Sequence, residues 1–389
     1  MNLQELKNAL SSLAVFRSLL EDPVLAALGD YLAQPDRGRY AAFVARLYDT
    51  EKRTLAGYIQ HIVCNDENAY IRMIGRGRQP WPEMAYNLRQ ELRILQQVAD
   101  LTPDTLGAPL GDGYIPAFPV KHLDLASCYE ERCAHIGRLG YGIYAKHTMF
   151  YLDGQNRIVP VQSPDPVRLS NLIDYQREKQ IILDNTRSLL EGKPAANILL
   201  TGDAGTGKSS TVKAVVNELR DQGLRILEVR KEQLHNIPAI LDQLNGNPLK
   251  FILFIDDLSF QRDDDNFSAL KAILEGSVSA KSRNVVIYAT SNRRHLVKES
   301  FSDRDGDDIH RNDTMQEILS LSERFGIQIT FQKPDKKTYL DIVHQLAKER
   351  GVRMDENELD AQAERFALGR GGRSARAANQ FVDGLVAAQ

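Results

Sequence analysis

Cysteine is scarce, with three residues in 389. An odd and small number excludes a disulfide framework and suits a reducing compartment. No apolar run approaches the roughly 20 residues that a membrane span needs. Near the start, Glu5 stands among the leucines and polar residues interrupt any signal-like apolar stretch, so the expectation is a cytoplasmic chain with no membrane partner. Neither sign of charge dominates: Lys+Arg 49 against Asp+Glu 52 gives a net charge of -3. That argues against a globally basic nucleic-acid binder but leaves room for a local basic patch. The hydrophobic fraction of 42% and charged fraction of 26% are those of a globular protein. The length exceeds one ordinary domain and suffices for two or three.

Apolar residues recur at helical spacing through the first stretch. Leu3, Leu6, Leu10 and Leu13, then Tyr40, Phe43, Val44 and Leu47, then Leu88, Leu92, Leu95 and Val98 each mark one face. Breaks fall at Asp22-Pro23, Gln34-Pro35 and the segment from Gly75 to Pro82. This predicts a mainly helical domain over 1–110. Residues 111–168 read as a connector, with a hairpin over 141–161 turning at Asp153-Gly154. A helix is expected from Tyr175 to Leu190.

From Asn197 the pattern changes. NILL, LRILEV, FILFI, NVVIYA and IQITF are short apolar runs separated by helical stretches. Such runs suit strands buried on both faces of a parallel sheet. The core is therefore expected over 169–333. Three helices over 334–389 would form a small C-terminal lid.

GDAGTGKS at 202–209 matches G-x-x-x-x-G-K-[ST], placed between a strand-like and a helix-like segment. Gly202, Gly205 and Gly207 permit a loop whose N–H groups turn inward around a polyphosphate, with Asp203, Ala204, Thr206 and Ser210 completing it. Lys208 is expected to reach the β and γ phosphates of ATP, and Ser209 to offer a hydroxyl to Mg²⁺, at a helix N-terminus that favours anions. FILFIDD at 251–257 ends a hydrophobic strand in two acids. Asp256 is the candidate for holding Mg²⁺, and Asp257 for orienting or activating the attacking water.

The order of these features resembles the AAA+ ATPases over about 170–389, and the whole chain is similar to a bacterial family catalogued as domain of unknown function 815. The resemblance implies an α/β P-loop core with five parallel strands, a helical lid, Mg²⁺-dependent ATP hydrolysis and a homo-oligomer, a hexamer being one candidate. It makes Asn292, in NVVIYATSN, the sensor that faces the γ-phosphate. It makes Arg324, in LSLSERFG, an arginine finger. It makes Arg376, in GGRSARAANQF, the lid sensor, with Arg373 as the alternative. The plainer readings are a helix cap for Asn292, an ion pair with Glu323 or Asp303 for Arg324, and a lid acid for Arg376. The client, protein or nucleic acid, stays open. A non-hydrolysing ATP-binding scaffold and a DNA-associated loader are the alternative functions.

Two departures qualify the resemblance. Most of its members carry Asp-Glu where this chain has Asp256-Asp257, a pair that resembles replication initiators and helicase loaders. Polypeptide-threading relatives show an aromatic–hydrophobic–Gly triplet after the second strand, which RKEQLHNIPAILDQLNGNP lacks. Neither N-K-x-D of a GTPase nor L-S-G-G-Q of a transporter ATPase occurs.

Three further clusters carry weaker signals. Cys128 and Cys133, near His122 and His135, lack the second pair a zinc site needs. Arg72, Arg76 and Arg78 near Trp81 suit a phosphate backbone with a stacked base, but a solvated loop anchored by one aromatic is the plainer reading. The charged runs from Arg262 to Asp265 and from Arg304 to Arg311 read as a solvated loop and as a segment that orders at a subunit interface.

Overall fold

The computed structural model describes residues 2–259, 265–275, 283–292 and 323–388. The chain forms two compact units. One comprises Met1–Lys146 with Gly246–Leu249; the other comprises His147–Asn245 with Lys250–Gln389.

The first unit is helical: α1 (Leu3–Ser11), α2 (Pro23–Ala33), α3 (Arg37–Tyr48), α4 (Leu55–Asn65), α5 (Ala69–Gly75), α6 (Pro82–Ala99), α7 (Pro103–Gly107), α8 (Leu125–Ala134), α9 (Ile136–Leu139) and α10 (Ile143–Lys146). Short polar side chains start most of these helices, accepting otherwise orphaned N–H groups. Asn2 and Glu5 cap each other's backbone at α1. Asp22 accepts from Val24 and Leu25, with Pro23 opening α2. Asp36, Thr54, Asn68 and Asp124 do the same for α3, α4, α5 and α8. The apolar faces read from the sequence converge on one core that holds Phe16, Tyr31, Tyr40, Phe43 and Tyr129. Buried Glu91 on α6 accepts the backbone N–H groups of Ala14, Val15 and Phe16 at 2.9–3.0 Å.

In the second unit the sheet strands are β1 (Met149–Leu152), β2 (Ile158–Pro160), β3 (Ile198–Gly202), β4 (Leu224–Glu228), β5 (Lys250–Ile255), β6 (Val285–Ser291) and β7 (Ile327–Phe331), in the order β2-β1-β4-β5-β6-β3-β7. All five expected strands are present and mutually parallel. Two further strands join these five, so the sheet has seven strands among the described residues. The hairpin is not a separate connector, because β1 pairs parallel with β4 and β2 antiparallel with β1. The hairpin is also shorter than the sequence pattern suggested. Residues 143–146 are helical, and the turn covers five residues with Asn156, not Gly154, at positive φ. Asp153 holds that turn by accepting from the N–H groups of Gln155 and Arg157.

Helices α11 (Gln176–Leu190), α12 (Lys208–Leu219), α13 (Ile237–Leu244) and α14 (Asp265–Glu275) accompany the sheet. The lid helices α15 (Lys336–Glu349), α16 (Glu356–Gly369) and α17 (Ala375–Ala388) enclose a core of their own around Tyr339, Val343, Ala363 and Ala378. The segment after the second core strand, where a threading loop would lie, is a 3₁₀ helix (Lys231–Asn236) running into α13. Among the described residues, no helix is long and apolar enough to cross a membrane.

Candidate nucleotide site

Strand order makes the site. β5, β6 and β3 are adjacent and parallel, so their C-terminal ends deliver Asp256, Asn292 and the phosphate loop to one edge of the sheet. A cavity of about 520 Å³ opens there, walled by Ala204, Gly205, Gly207, Lys208, Ser209 and Ser210 of the loop and by Asp256, Asp257, Thr290 and Asn292. The lid contributes Ala375, Arg376 and Asn379, and Leu172 closes the remaining side.

Gly202 must be glycine. Its φ is +134°, and a Cβ there would lie 2.1 Å from the Phe331 carbonyl oxygen on β7. Gly205, at φ +79°, lets the loop approach the lid: Arg376 donates its backbone N–H to the Gly205 carbonyl at 3.3 Å. Gly202, Asp203 and Thr206 stand behind the cavity wall. The Gly202 and Asp203 carbonyls accept from the Lys208 ammonium at 2.7 and 2.8 Å, and the Thr206 hydroxyl donates to Asp203.

Asn292 links the two charged elements. Its Oδ1 accepts from Lys208 Nζ at 3.0 Å and its Nδ2 donates to Asp257 Oδ1 at 2.6 Å. Burial pulls the Lys208 ammonium below the ordinary lysine value; Asp256, Asp203 and Asp257 pull it back, and Arg376 adds to the fall. Ser209 Oγ donates to Asp256 Oδ1 at 2.6 Å, and Thr290 Oγ1 donates to the same oxygen. Asp257 adopts φ +53°, and its N–H is held by Thr290 Oγ1 at 2.9 Å. Aspartate tolerates that left-handed conformation better than most residues, and such backbone persists where surrounding bonds fix it.

Among the described residues, no group of three or more His, Cys, Asp or Glu side chains could cage a metal ion. Mg²⁺ does not need one: it is commonly bound through one or two protein oxygens, with water and substrate phosphate supplying the rest. Ser209 and Asp256, two hard oxygen donors in contact at the cavity edge, fit that requirement.

The two lid arginines separate. Arg373 is engaged by Glu364 through two bonds of 2.8 and 2.6 Å, while Arg376 lines the cavity. Arg324 is not brought to this site. It precedes β7, at the N-terminal ends of the strands, and lines a groove with Lys193, Asn197, Arg283 and Val285. The capping alternative for Asn292 falls on residues from 293 onward, outside the described residues, as do Asp303, Arg262 and the run 304–311. The cysteine–histidine cluster does not form a site: His122 pairs with Asp100 and His135 with the Glu131 carbonyl.

Four lining residues escape the motif reading. Asn379 lies one helical turn beyond Arg376, so spacing alone would find it. Thr290 sits two residues before Asn292, but its task of orienting Asp256 and Asp257 depends on β5–β6 register. Leu172 and Ala375 carry no local signal.

Sheet, phosphate loop, strand-end acids and three-helix lid together define a P-loop protein of the AAA+ fold. The chain belongs to the family described as "Protein of unknown function (DUF815)", whose sequence model matches residues 145–389. Among solved structures it is similar to the Holliday junction branch migration motor RuvB of Thermotoga maritima, at 18% identity and a TM-score of 0.37 over 56% of this chain. Two mutants of that motor are similar at 18% and 17% identity, each with a TM-score of 0.40, over 56% of this chain and 64% of theirs. The chain covers 63% of the length of the first of these motors, less than two thirds. No protein with a curated description matches it.

Proposed function

We propose that this chain binds ATP with Mg²⁺ in the cavity between the phosphate loop and the lid, hydrolyses it as a homo-oligomer, and passes the nucleotide state to a macromolecular client. The observation that carries the proposal is the Lys208–Asn292–Asp257 chain of hydrogen bonds beside the Ser209–Asp256 pair. It sets a cation, an amide and two carboxylates around one space at the edge of a parallel sheet.

In this reading Lys208 exchanges its loop carbonyls for β- and γ-phosphate oxygens, a charge-assisted contact. Ser209 and Asp256 would hold Mg²⁺, which when bound neutralises developing phosphate charge. Asp257, oriented by Asn292, accepts a proton from the water that attacks the γ-phosphate. Arg376 carries the presence of that phosphate to α17 and so to the lid. Arg324 of a neighbouring copy would complete the charge stabilisation.

The test is steady-state phosphate release together with binding of a fluorescent ATP analogue. Wild type should bind and turn over. Lys208→Ala should lose tight binding with the fold intact. Asp257→Asn should bind normally and turn over at least about 10²-fold more slowly, the lower end for loss of a general base. Wild-type turnover by Asp257→Asn would remove Asp257 from the chemistry.

A further inference from the structure

The helical first unit carries a surface that the ATP reading does not use. Between Tyr70 and Gln97 the chain holds Arg72, Arg76, Arg78, Arg89 and Arg93, against Glu83 and Glu91. Glu91 is buried and committed to the backbone of residues 14–16, so within this stretch one exposed acid stands against five arginines, and Glu67 just before it pairs with Arg72. In a chain of net charge -3, this concentration is local.

Two exposed aromatic rings accompany these arginines. A solvated loop anchored by one aromatic requires Trp81 to pack inward. Instead Trp81 is 64% exposed and Tyr86 is 56% exposed. A single exposed ring is ordinary, as Tyr114 at 85% shows; what marks this pair is that both rings lie at the start of one helix beside exposed arginines.

Helix geometry aligns the groups. On α6, Tyr86, Arg89 and Arg93 stand at i, i+3 and i+7, one stripe spanning about 10 Å along the axis. Trp81 begins the same helix. Arg76 and Arg78 come from the turn that ends α5; the Arg76 N–H bonds back to the Arg72 and Met73 carbonyls and the Arg78 N–H to that of Met73. Their position complements the α5 C-terminal dipole, which explains those two. It does not explain Arg89, Arg93 or the two exposed rings. α5 and α6 are in contact. Burial raises the Tyr70 hydroxyl pKa, and Arg89 lies close enough to α5 to offset part of that rise. The exposed ion pair of Arg72 with Glu67 at 3.8 Å is too weak to occupy its charge.

From this we infer that the face formed by Trp81, Tyr86, Arg89 and Arg93, with Arg78 in the turn before them, binds single-stranded nucleic acid. Phosphates lie along the arginine stripe, and unpaired bases stack on Trp81 and Tyr86. An acidic peptide satisfies the arginines but leaves both rings without a π-faced partner. Duplex DNA presents phosphates but keeps its bases stacked on each other. A single strand offers both groups in alternation. This inference is independent of nucleotide hydrolysis at the other unit.

Trp81 is the one tryptophan in the chain, so it reports on its own site in the intact protein. A fluorescein-labelled oligothymidylate of about 20 nucleotides exceeds the usual footprint of a strand-binding surface. Its binding should quench Trp81. Trp81→Ala should weaken the affinity about tenfold or more, and Trp81→Phe should retain most of it. The logarithmic salt slope should fall by about 0.7 for each of Arg89→Ala and Arg93→Ala. Far-ultraviolet circular dichroism checks that the variants keep their helices. Any of three results overturns the inference: unchanged affinity in folded Trp81→Ala, equal affinity for a blunt duplex, or equal affinity and quenching with polyglutamate. The last would assign the face to an acidic protein.

Discussion

Lys208 is pulled in two directions, and that gives it a measurable pH dependence. Its side chain is buried, which disfavours the ammonium, while three aspartates and two loop carbonyls favour it. The net result is a pKa below the ordinary lysine value. A bound polyphosphate favours the charged form, so nucleotide binding is linked to keeping this proton. Affinity should therefore be full below the lowered pKa and fall as pH rises through it. Titrating a fluorescent ATP analogue between about pH 7 and about pH 10 checks this, since a free lysine would change only near the top of that range. Lys208→Arg removes the titration, because guanidinium stays charged throughout. The same residue shows why part of the site could be read without a structure. A loop that cradles phosphate leaves few choices of residue type, and those choices fall within eight consecutive positions. The acid pair at 256–257 is legible for a related reason: a strand of five apolar residues has a visible end. Thr290 is the contrary case. Threonine in a strand signals only β propensity, and its bonds to Asp256 and Asp257 exist because Ile255 pairs with Ala289 across the sheet.

At the scale of elements, long-range pairings decide what local pattern leaves open. The β1–β2 hairpin could be seen as a hairpin, but not as two more strands of the sheet, because the β1–β4 pairing is not recorded near either strand. Helix faces fared better: the leucines of α1 and α6 lie in the core as their spacing predicts. Two predictions belong here. Gly202 joins β3 to the phosphate loop while passing under the Phe331 carbonyl. Gly202→Ala should push β3 from β7 and cost more than about 3 kcal/mol, seen as a large fall in the urea midpoint or as failure to fold. The other concerns Glu91, whose carboxylate ties α6 to the turn after α1 through three backbone donors. Glu91→Ala leaves those donors unsatisfied and should cost about 3 kcal/mol or more. Glu91→Gln keeps the shape and one oxygen acceptor, so its loss should be smaller. Urea melts followed by circular dichroism rank the two; equal loss would mean that packing, not acceptance, is the contribution of Glu91.

Within one copy, Arg324 and the phosphate loop belong to opposite edges of the sheet. The loop follows the C-terminal end of β3, whereas Arg324 precedes the N-terminal end of β7, its parallel neighbour. Five-residue strands separate those edges by about 17 Å, farther than one arginine side chain reaches. If Arg324 stabilises transition-state charge, it must do so in the site of another copy, and activity becomes a property of the assembly. Specific activity should then fall on dilution, as interfaces empty. Arg324→Ala should bind ATP nearly as wild type does, because the charge it meets develops in the transition state. Its turnover should fall by about 10³-fold, the lower end for arginine fingers. Mixing separates a finger in trans from every structural explanation. Arg324→Ala retains a complete pocket but offers no finger; Lys208→Ala offers a finger but has no working pocket. Each alone should be nearly inactive. Combined, the interfaces that join a sound pocket to a sound finger should restore part of the wild-type rate, most at intermediate ratios. An arginine that only holds its own subunit together gives no recovery at any ratio. An unrescued mixture with flat activity across dilution would leave an ATPase that works as a single copy, and Arg324 would then belong to the groove it lines.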